Sequence, residues 1–344
     1  MLVDAMLTGP GLGELSEQAQ TFQAAGYAGV WSSEVAHEPF MQLLAASQAA
    51  PDVQVGTAIS VAFARTPMST AYAAIDLQQY SGGRFVLGLG SQVKAHVERR
   101  FGMPWSHPAP RMREYISALR AIWDAWANGT RLDFRGDFYT HTLMTPFFTP
   151  GAGEHRPPPV YLAAVGPLMT QVAGEVADGL LVHPFTTPAY LAERTLPTIE
   201  RALARSGRTR ADFAISVNAM VVTGRDEAEL AAADDAMRAQ LAFYGSTPAY
   251  RGVLEQHGWG ELGDELNRLS RTTDDARWQQ MKELVDDEVL RTFAVVAEPE
   301  QVGAAIRERF GAVADRLFFG TPYKHDRALL QPALASLRTA GGGR

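Results

Sequence analysis

The stretch Ser81-Gly82-Gly83-Arg84-Phe85-Val86-Leu87-Gly88-Leu89-Gly90-Ser91-Gln92-Val93-Lys94-Ala95-His96, residues 81–96, reads as a turn, a strand and a loop, and its glycines decide which sheet it belongs to. Gly-Leu-Gly after an apolar strand invites a dinucleotide-binding reading, in which glycines let the backbone approach a pyrophosphate at a helix start. That fingerprint needs a third glycine three places after Gly90, where the chain has Val93. About eighty residues of strand-like and helix-like pattern also precede the motif, whereas the dinucleotide unit opens on its own first strand. The segment therefore belongs inside a larger sheet or barrel. Gly82-Gly83 with Arg84 reads as a tight turn bearing a charge. Gly88 and Gly90 answer either to crowding inside a barrel or to close approach of a ligand.

Working outward, β-type runs alternate with amphipathic helical runs, the pattern of a parallel sheet with helical crossovers. The strands are LVDAML, GVWSSE, VQVGTAISVAF, RFVLGLG, PVYLAAVG, DGLLVHPF, DFAISVNAMVVTG and ADRLFFG. Between the first two, Leu15, Ala19, Phe22 and Ala25 follow a helical period that ends at Gly26. Residues 129–157 break the rhythm with Pro, Gly and aromatic residues and are expected to form an excursion over the barrel. Residues 226–292 are helical by pattern and read as an insertion before the last βα unit. Eight βα units predict a single (β/α)8 barrel over residues 1–344, with a frayed Gly341–Arg344 tail.

Of 344 residues, 46% are hydrophobic and 20% charged, as expected for a soluble globular chain. There is no cysteine, hence no disulfide framework and no thiolate metal site. A net charge of −7 argues against a general nucleic-acid or anionic-membrane surface. With no secretory pattern at the start and no long apolar run, the expected location is cytoplasmic.

In a barrel of this kind the chemistry collects at the C-terminal ends of the strands. Those ends carry Glu34 and His37; Ala58, Ile59 and Ser60 with Phe63 and Arg65; Ser91, Gln92 and His96; residues 163–170; His183; and later Asn218 and Thr321. One well-placed carboxylate is too few for a glycosidase. The scattered histidines lack metal-ligand spacing, and no Gly-x-Ser-x-Gly elbow is present. What remains is a set of small, aromatic and neutral polar residues suited to a flat redox cofactor that carries the chemistry itself. Phe63, Met144, Phe147, Phe148 and His183 are expected to line an apolar substrate pocket. Tyr244 to Tyr250 and Trp259 either roof it or form the core of the helical insertion.

These blocks carry a resemblance. GVWSSE, GTAIS, SGGRFVLGLGSQ and YLAAVGPLMTQVAGEVADGLLVHPF are similar to the bacterial luciferase-like superfamily, in particular its coenzyme F420-dependent oxidoreductases, over about residues 2–325. LMTPFF and YGSTPAY resemble an actinobacterial subfamily of such enzymes. The resemblance implies a (β/α)8 barrel of the luciferase-like type, a homodimer, and F420, or alternatively FMN, in a pocket at the strand ends. It also implies a non-prolyl cis peptide at Ala58–Ile59 behind the flavin ring.

By the same resemblance, Glu34 and a following histidine serve the reaction. Val35 stands where that histidine is usual, which moves the expectation to His37. His96 would touch the deazaflavin, with Ser60, Ser91 and Gln92 nearby. Amides around Val165, Gly166 and Met169 would hold the phosphate, since Pro167 has no N–H. The basic residues Lys94, Arg99, Arg100, Arg111 and Arg113 either meet the acidic tail of F420 or pair with Glu98 and Glu114. The implied reaction is hydride transfer between the deazaflavin C5 and a mid-sized carbonyl, imine, enone or alcohol. His37 or His96, oriented by Glu34, would handle the proton. The rival is a two-component FMN monooxygenase on the same barrel.

Overall fold

The computed structural model describes residues 1–9 and 11–339, so the expectation for the Gly341–Arg344 tail lies outside the described residues. Eight parallel strands form the frame: β1 Leu2–Met6, β2 Gly29–Ser32, β3 Gln54–Thr57, β4 Phe85–Gly90, β5 Val160–Ala164, β6 Gly179–Val182, β7 Ala214–Val222 and β8 Arg316–Gly320. Each pairs with the next. β8 returns to β1 through Arg316 opposite Leu2, and β6 meets β7 through Gly179 opposite Ala214, so the sheet closes on itself. Helices Leu12–Ala25, Pro39–Ala49, Pro67–Tyr80, Pro108–Asn128, Pro167–Val176, Leu196–Arg205, Pro299–Phe310 and Gln331–Thr339 follow the eight strands as the outer ring. This is the (β/α)8 barrel expected from the strand count.

Alternation along each strand sorts the side chains into two cores, because successive residues point to opposite faces. Val3, Leu7, Val30, Val55, Phe85, Leu87, Leu89, Ile215, Val217 and Leu317 pack outward under the helices. Trp31, Val86, Tyr161, Leu181 and Phe318 fill the lumen with Met6, Ala58 and Ile59 at its upper edge. Trp31 meets Phe318 edge-on at 5.6 Å. At the base of this plug, Asp4 on β1 takes hydrogen bonds from the Arg316 guanidinium on β8 at 2.6 and 2.7 Å. Gln54 on β3 accepts another. Gly56 is required here, since a Cβ would lie 2.5 Å from the Trp31 ring.

The turn before β4 follows the local reading. Gly82 and Gly83 have φ of 65° and 82°, and Arg84 donates to the carbonyl oxygens of Ala50 and Val53. The long helical insertion is also present, as helices between Glu227 and Phe293. It ends in a two-residue strand, Val295–Val296, paired with Val221–Val222. Its Met237, Leu241, Val253, Leu266 and Phe293 form a second apolar core that reaches Phe185 and Met220.

The excursion after the fourth helix takes a different path from the one expected. It does not cover the barrel mouth but climbs the outside of helix Pro108–Asn128, turns in a small hairpin, Phe134–Arg135 with Thr140–His141, and descends. Acceptors on the outer helices dictate that route. Glu114 takes the amides of Asp137, Phe138 and Tyr139 at 2.9, 2.7 and 2.5 Å. Gln79 takes those of Glu154 and His155, and the Tyr72 hydroxyl donates to the Phe148 carbonyl.

Candidate functional site

The third strand is interrupted at its C-terminal end. After Thr57 the chain passes through a cis peptide between Ala58 and Ile59, resumes as Ser60–Val61 beside Leu89–Gly90, and coils into a short helical turn, Ala62–Ala64. The glycines of β4 accommodate this bulge. A Cβ at Gly88 would sit 1.8 Å from the Thr57 carbonyl oxygen, and one at Gly90 would sit 2.8 Å from Ile59 Cγ1. The opening motif is therefore shaped by crowding against the bulge, and Ala58 and Ile59, half-buried, form the apolar edge of the mouth.

Glu34, buried at the end of β2, straps the bulge in place. Its amide donates to the Ile59 carbonyl at 3.0 Å. Its carboxylate accepts from the Val61 amide at 2.7 Å and from Arg65 Nη1 at 2.6 Å. The same Arg65 nitrogen reaches Ser60 Oγ at 2.6 Å, and Nη2 pairs with Glu38 at 3.2 Å. With these partners the Glu34 carboxylate orients neither His37 nor His96; both histidines are exposed, His37 on the loop before Pro39 and His96 on the short helix Lys94–Arg99. Ser60 is fully buried and its hydroxyl is held in this cluster. Arg100 fastens the two loops together by donating to the Val35 carbonyl. Arg65 was visible at a strand end, but its pairing with Glu34 depends on a separation of 31 residues that no local pattern reports.

Beyond β4, Ser91 and Gln92 turn the chain away, Gln92 with φ of 60°, and the Gln92 side chain caps the Val93 amide. At β5 the segment from Val165 leads into helix Pro167–Val176. Gly166 is its N-cap, and nothing beyond its chain neighbours lies within 4 Å of where a Cβ would be. Of the basic stretch, Lys94 pairs with Glu98 at 3.9 Å and Arg113 with Glu175 at 2.6 Å. Arg111 is buried over the Phe63 ring and bonded to Tyr139 and Pro104, a packing role.

Among the residues expected to line a substrate pocket, His183 alone is set beside the mouth. It follows β6 between Tyr244 and Tyr250, its ring 4.9 and 4.3 Å from theirs. Phe63 is fully buried against Trp105. Met144, bonded through sulfur to Trp126, lies on the outer flank with Phe147 and Phe148, which are 88% and 54% exposed. They follow the excursion, whose polar backbone is anchored to the outer helices. The aromatic residues of the insertion replace them: Tyr244 belongs both to the contact with His183 and to the cavity described next.

Burial holds the His183 pKa down at about 4. Its Nδ1 accepts from the Phe185 amide at 3.1 Å, so the neutral ring carries its proton on Nε2. A histidine that charges near 6.5 when unfolded but near 4 when folded removes stability as pH falls between those values. Above pH 6.5 it has no effect. We expect acidification from pH 6.5 to 4 to cost about 3 kcal/mol through this residue. Urea unfolding at the two pH values should show that much less acid sensitivity in His183→Phe; equal sensitivity would refute the assignment.

On the β7–β8–β1 side the mouth opens into a cavity of about 670 Å³, lined by Met6, Asn218, Met220, Tyr244, Phe318, Thr321 and His325 among others. Met6 also packs in the lumen cluster with Ala58 and Ile59, so cavity and bulge border one opening. Among the described residues no group of three or more His, Cys, Asp or Glu could hold a metal ion. No helix among them is long and apolar enough to cross a membrane.

A parallel barrel with an apolar, bulged edge and a cavity of mixed polarity at its strand C-termini is the architecture of a barrel enzyme. The chain belongs to the luciferase-like monooxygenase family, whose sequence profile matches residues 2–316. Over 306 residues it is 52% identical to an uncharacterized protein of Mycobacterium tuberculosis, with 89% of each chain covered. It is 28% identical to a 5,10-methylenetetrahydromethanopterin reductase of Archaeoglobus fulgidus, over 80% of this chain and 79% of that one. The solved coenzyme F420-dependent tetrahydromethanopterin reductase from Methanopyrus kandleri superposes with a TM-score of 0.77 at 20% identity, covering 97% and 96% of the two chains, a likeness of fold.

Proposed function

We propose that this enzyme is an F420-dependent oxidoreductase that moves a hydride between the deazaflavin C5 and a mid-sized organic carbonyl, imine, enone or alcohol. The observation that carries the reading is the apolar edge formed by Met6, Ala58 and Ile59 over the Trp31–Tyr161–Phe318 plug, which fits the face of a flat tricyclic ring. F420 would supply a carbon hydride acceptor at C5. The chain supplies the rest: Ile59 and Ala58 support one ring face, Gly90 keeps the space beside Ile59 free, and Ser91, Gln92 and His96 border the ring from the fourth loop. The helix start at Val165, Gly166 and Met169 would take a phosphate. Glu34, through Arg65 and Val61, acts as a positioning residue for the floor, and His183 offers a neutral donor to the substrate. Exposed His37 remains available for proton exchange with solvent, and a homodimer is the proposed assembly.

Relatives named as F420-dependent support this cofactor over FMN. The test is equilibrium binding of F420 and FMN, each oxidised and reduced, followed by fluorescence at moderate salt. We expect F420 to bind at least tenfold more tightly. Preference for FMN would transfer the reading to oxygen activation, and binding of neither would refute it.

A further inference from the structure

The cavity on the β7–β8–β1 side holds a hydroxyl–imidazole pair that the site described above does not use. Thr321 follows β8 directly, and His325 lies four residues on; both line the cavity. His325 Nδ1 is 2.9 Å from the Asp326 carbonyl oxygen, and Nε2 is 3.0 Å from Thr321 Oγ1. A carbonyl only accepts, so Nδ1 carries a proton whatever the charge of the ring. In the neutral imidazole Nε2 then has only a lone pair, and the Thr321 hydroxyl must donate to it. Thr321 Oγ1 is left to the cavity as an acceptor.

When His325 gains a proton, Nε2–H becomes the donor and Thr321 Oγ1 accepts it. The threonine hydrogen is released and can point into the cavity. The wall thus presents an acceptor or a donor according to one proton.

We propose that Thr321 and His325 form the oxygen-recognition end of the substrate cavity, selecting an alcohol when His325 is neutral and a carbonyl when it is charged. The inference rests on the oxidoreductase reading and narrows its substrate class to an alcohol–carbonyl pair. In the oxidising direction the carbinol C–H bond breaks and its hydride passes to the deazaflavin, which gains two electrons. The alcohol O–H proton goes to Thr321 Oγ1 as the threonine proton goes to His325 Nε2, leaving a carbonyl and an imidazolium. The reducing direction returns both. The other walls suit an apolar body on such a substrate, since Met220, Tyr244, Phe318 and Phe319 lie around the pair.

Charged groups of both signs surround His325. Glu229, on the first helix of the insertion, is held by Arg225 at 2.7 Å, and Arg225 also reaches Asp326 at 3.5 Å. Tyr323 stands 5.6 Å from the imidazole ring, and Lys324 and Arg327 flank it in sequence.

The experiment uses cyclohexanol and cyclohexanone as probes, with binding followed by ligand-observed NMR from pH 5.5 to 8.5, on the protein alone and with oxidised F420. The expected result is opposite pH dependence, the ratio of alcohol to ketone affinity rising at least tenfold across the range. Thr321→Val should flatten the ratio while F420 affinity stays within twofold, and Thr321→Ser should preserve the slope. His325→Gln should also abolish it. A flat ratio in the wild type, failure of both probes to bind, or an unchanged slope in Thr321→Val would overturn the proposal. Loss of F420 binding in the wild type would instead overturn the oxidoreductase reading, while the probe ratio on the protein alone still reports on the pair.

Discussion

Glu34→Ala is expected to lower the unfolding free energy by about 3 kcal/mol and to weaken F420 binding at least tenfold. The carboxylate is 7% exposed and accepts from the Val61 amide and from Arg65, itself 20% exposed. Removing it leaves a largely buried amide and guanidinium without their main acceptor, and an unpaired buried group carries the full desolvation penalty. Arg65 keeps its contact with Glu38, which moderates the loss. Because the strap holds the segment from Ile59 to Val61, its release should loosen the floor on which the ring is proposed to lie. Glu34→Ala/Arg65→Met should recover part of the stability, because the orphaned charge is gone, but not the affinity. Urea melts together with F420 titrations separate these effects. Wild-type affinity in a folded Glu34→Ala protein would show that the strap does not shape the cofactor floor.

The Asp4–Arg316 pair should show the larger stability effect. Its side chains are 0% and 4% exposed, and it bridges β1 to β8 where the barrel closes, with Gln54 of β3 as a third partner. Burial raises the Asp4 pKa, while the adjacent Arg316 charge and hydrogen bonds oppose that rise. Asp4→Ala strands the Arg316 guanidinium inside the lumen beneath Trp31, and breaking a buried pair from one side costs about 3–5 kcal/mol. Asp4→Leu/Arg316→Met should cost less than Asp4→Ala alone, since two apolar groups leave nothing to desolvate. Chemical denaturation of the three proteins orders them. An Asp4→Ala protein as stable as the wild type would show that water reaches Arg316 at the barrel base.

Part of the proposed floor was legible in the chain. The bulge at Ala58–Ile59 was implied by the family resemblance of GTAIS, whereas local chemistry did the rest: the strand rhythm placed eight βα units, and the glycine spacing of RFVLGLG excluded a dinucleotide fingerprint. The substrate side was less legible. Phe63 and the aromatic residues of LMTPFF are apolar and near strand ends or loops in sequence, which is all that pattern can report. Their positions follow from where Arg111, Glu114, Gln79 and Tyr72 offer packing and hydrogen-bond partners, and those partners are distant in the chain.

The division has a physical basis. Strand alternation, helical periodicity and turn chemistry act within a few residues, so the sequence by itself determined the barrel, the order of its elements, the turn at Gly82-Gly83 and the helical insertion before the last unit. Which polar groups find each other across the barrel is settled by closure of the sheet. Only the tertiary structure made Glu34 a strap held by Arg65, sealed the base with Asp4 and Arg316, surrounded His183 with the insertion's tyrosines, and opened the Thr321–His325 pair to the cavity.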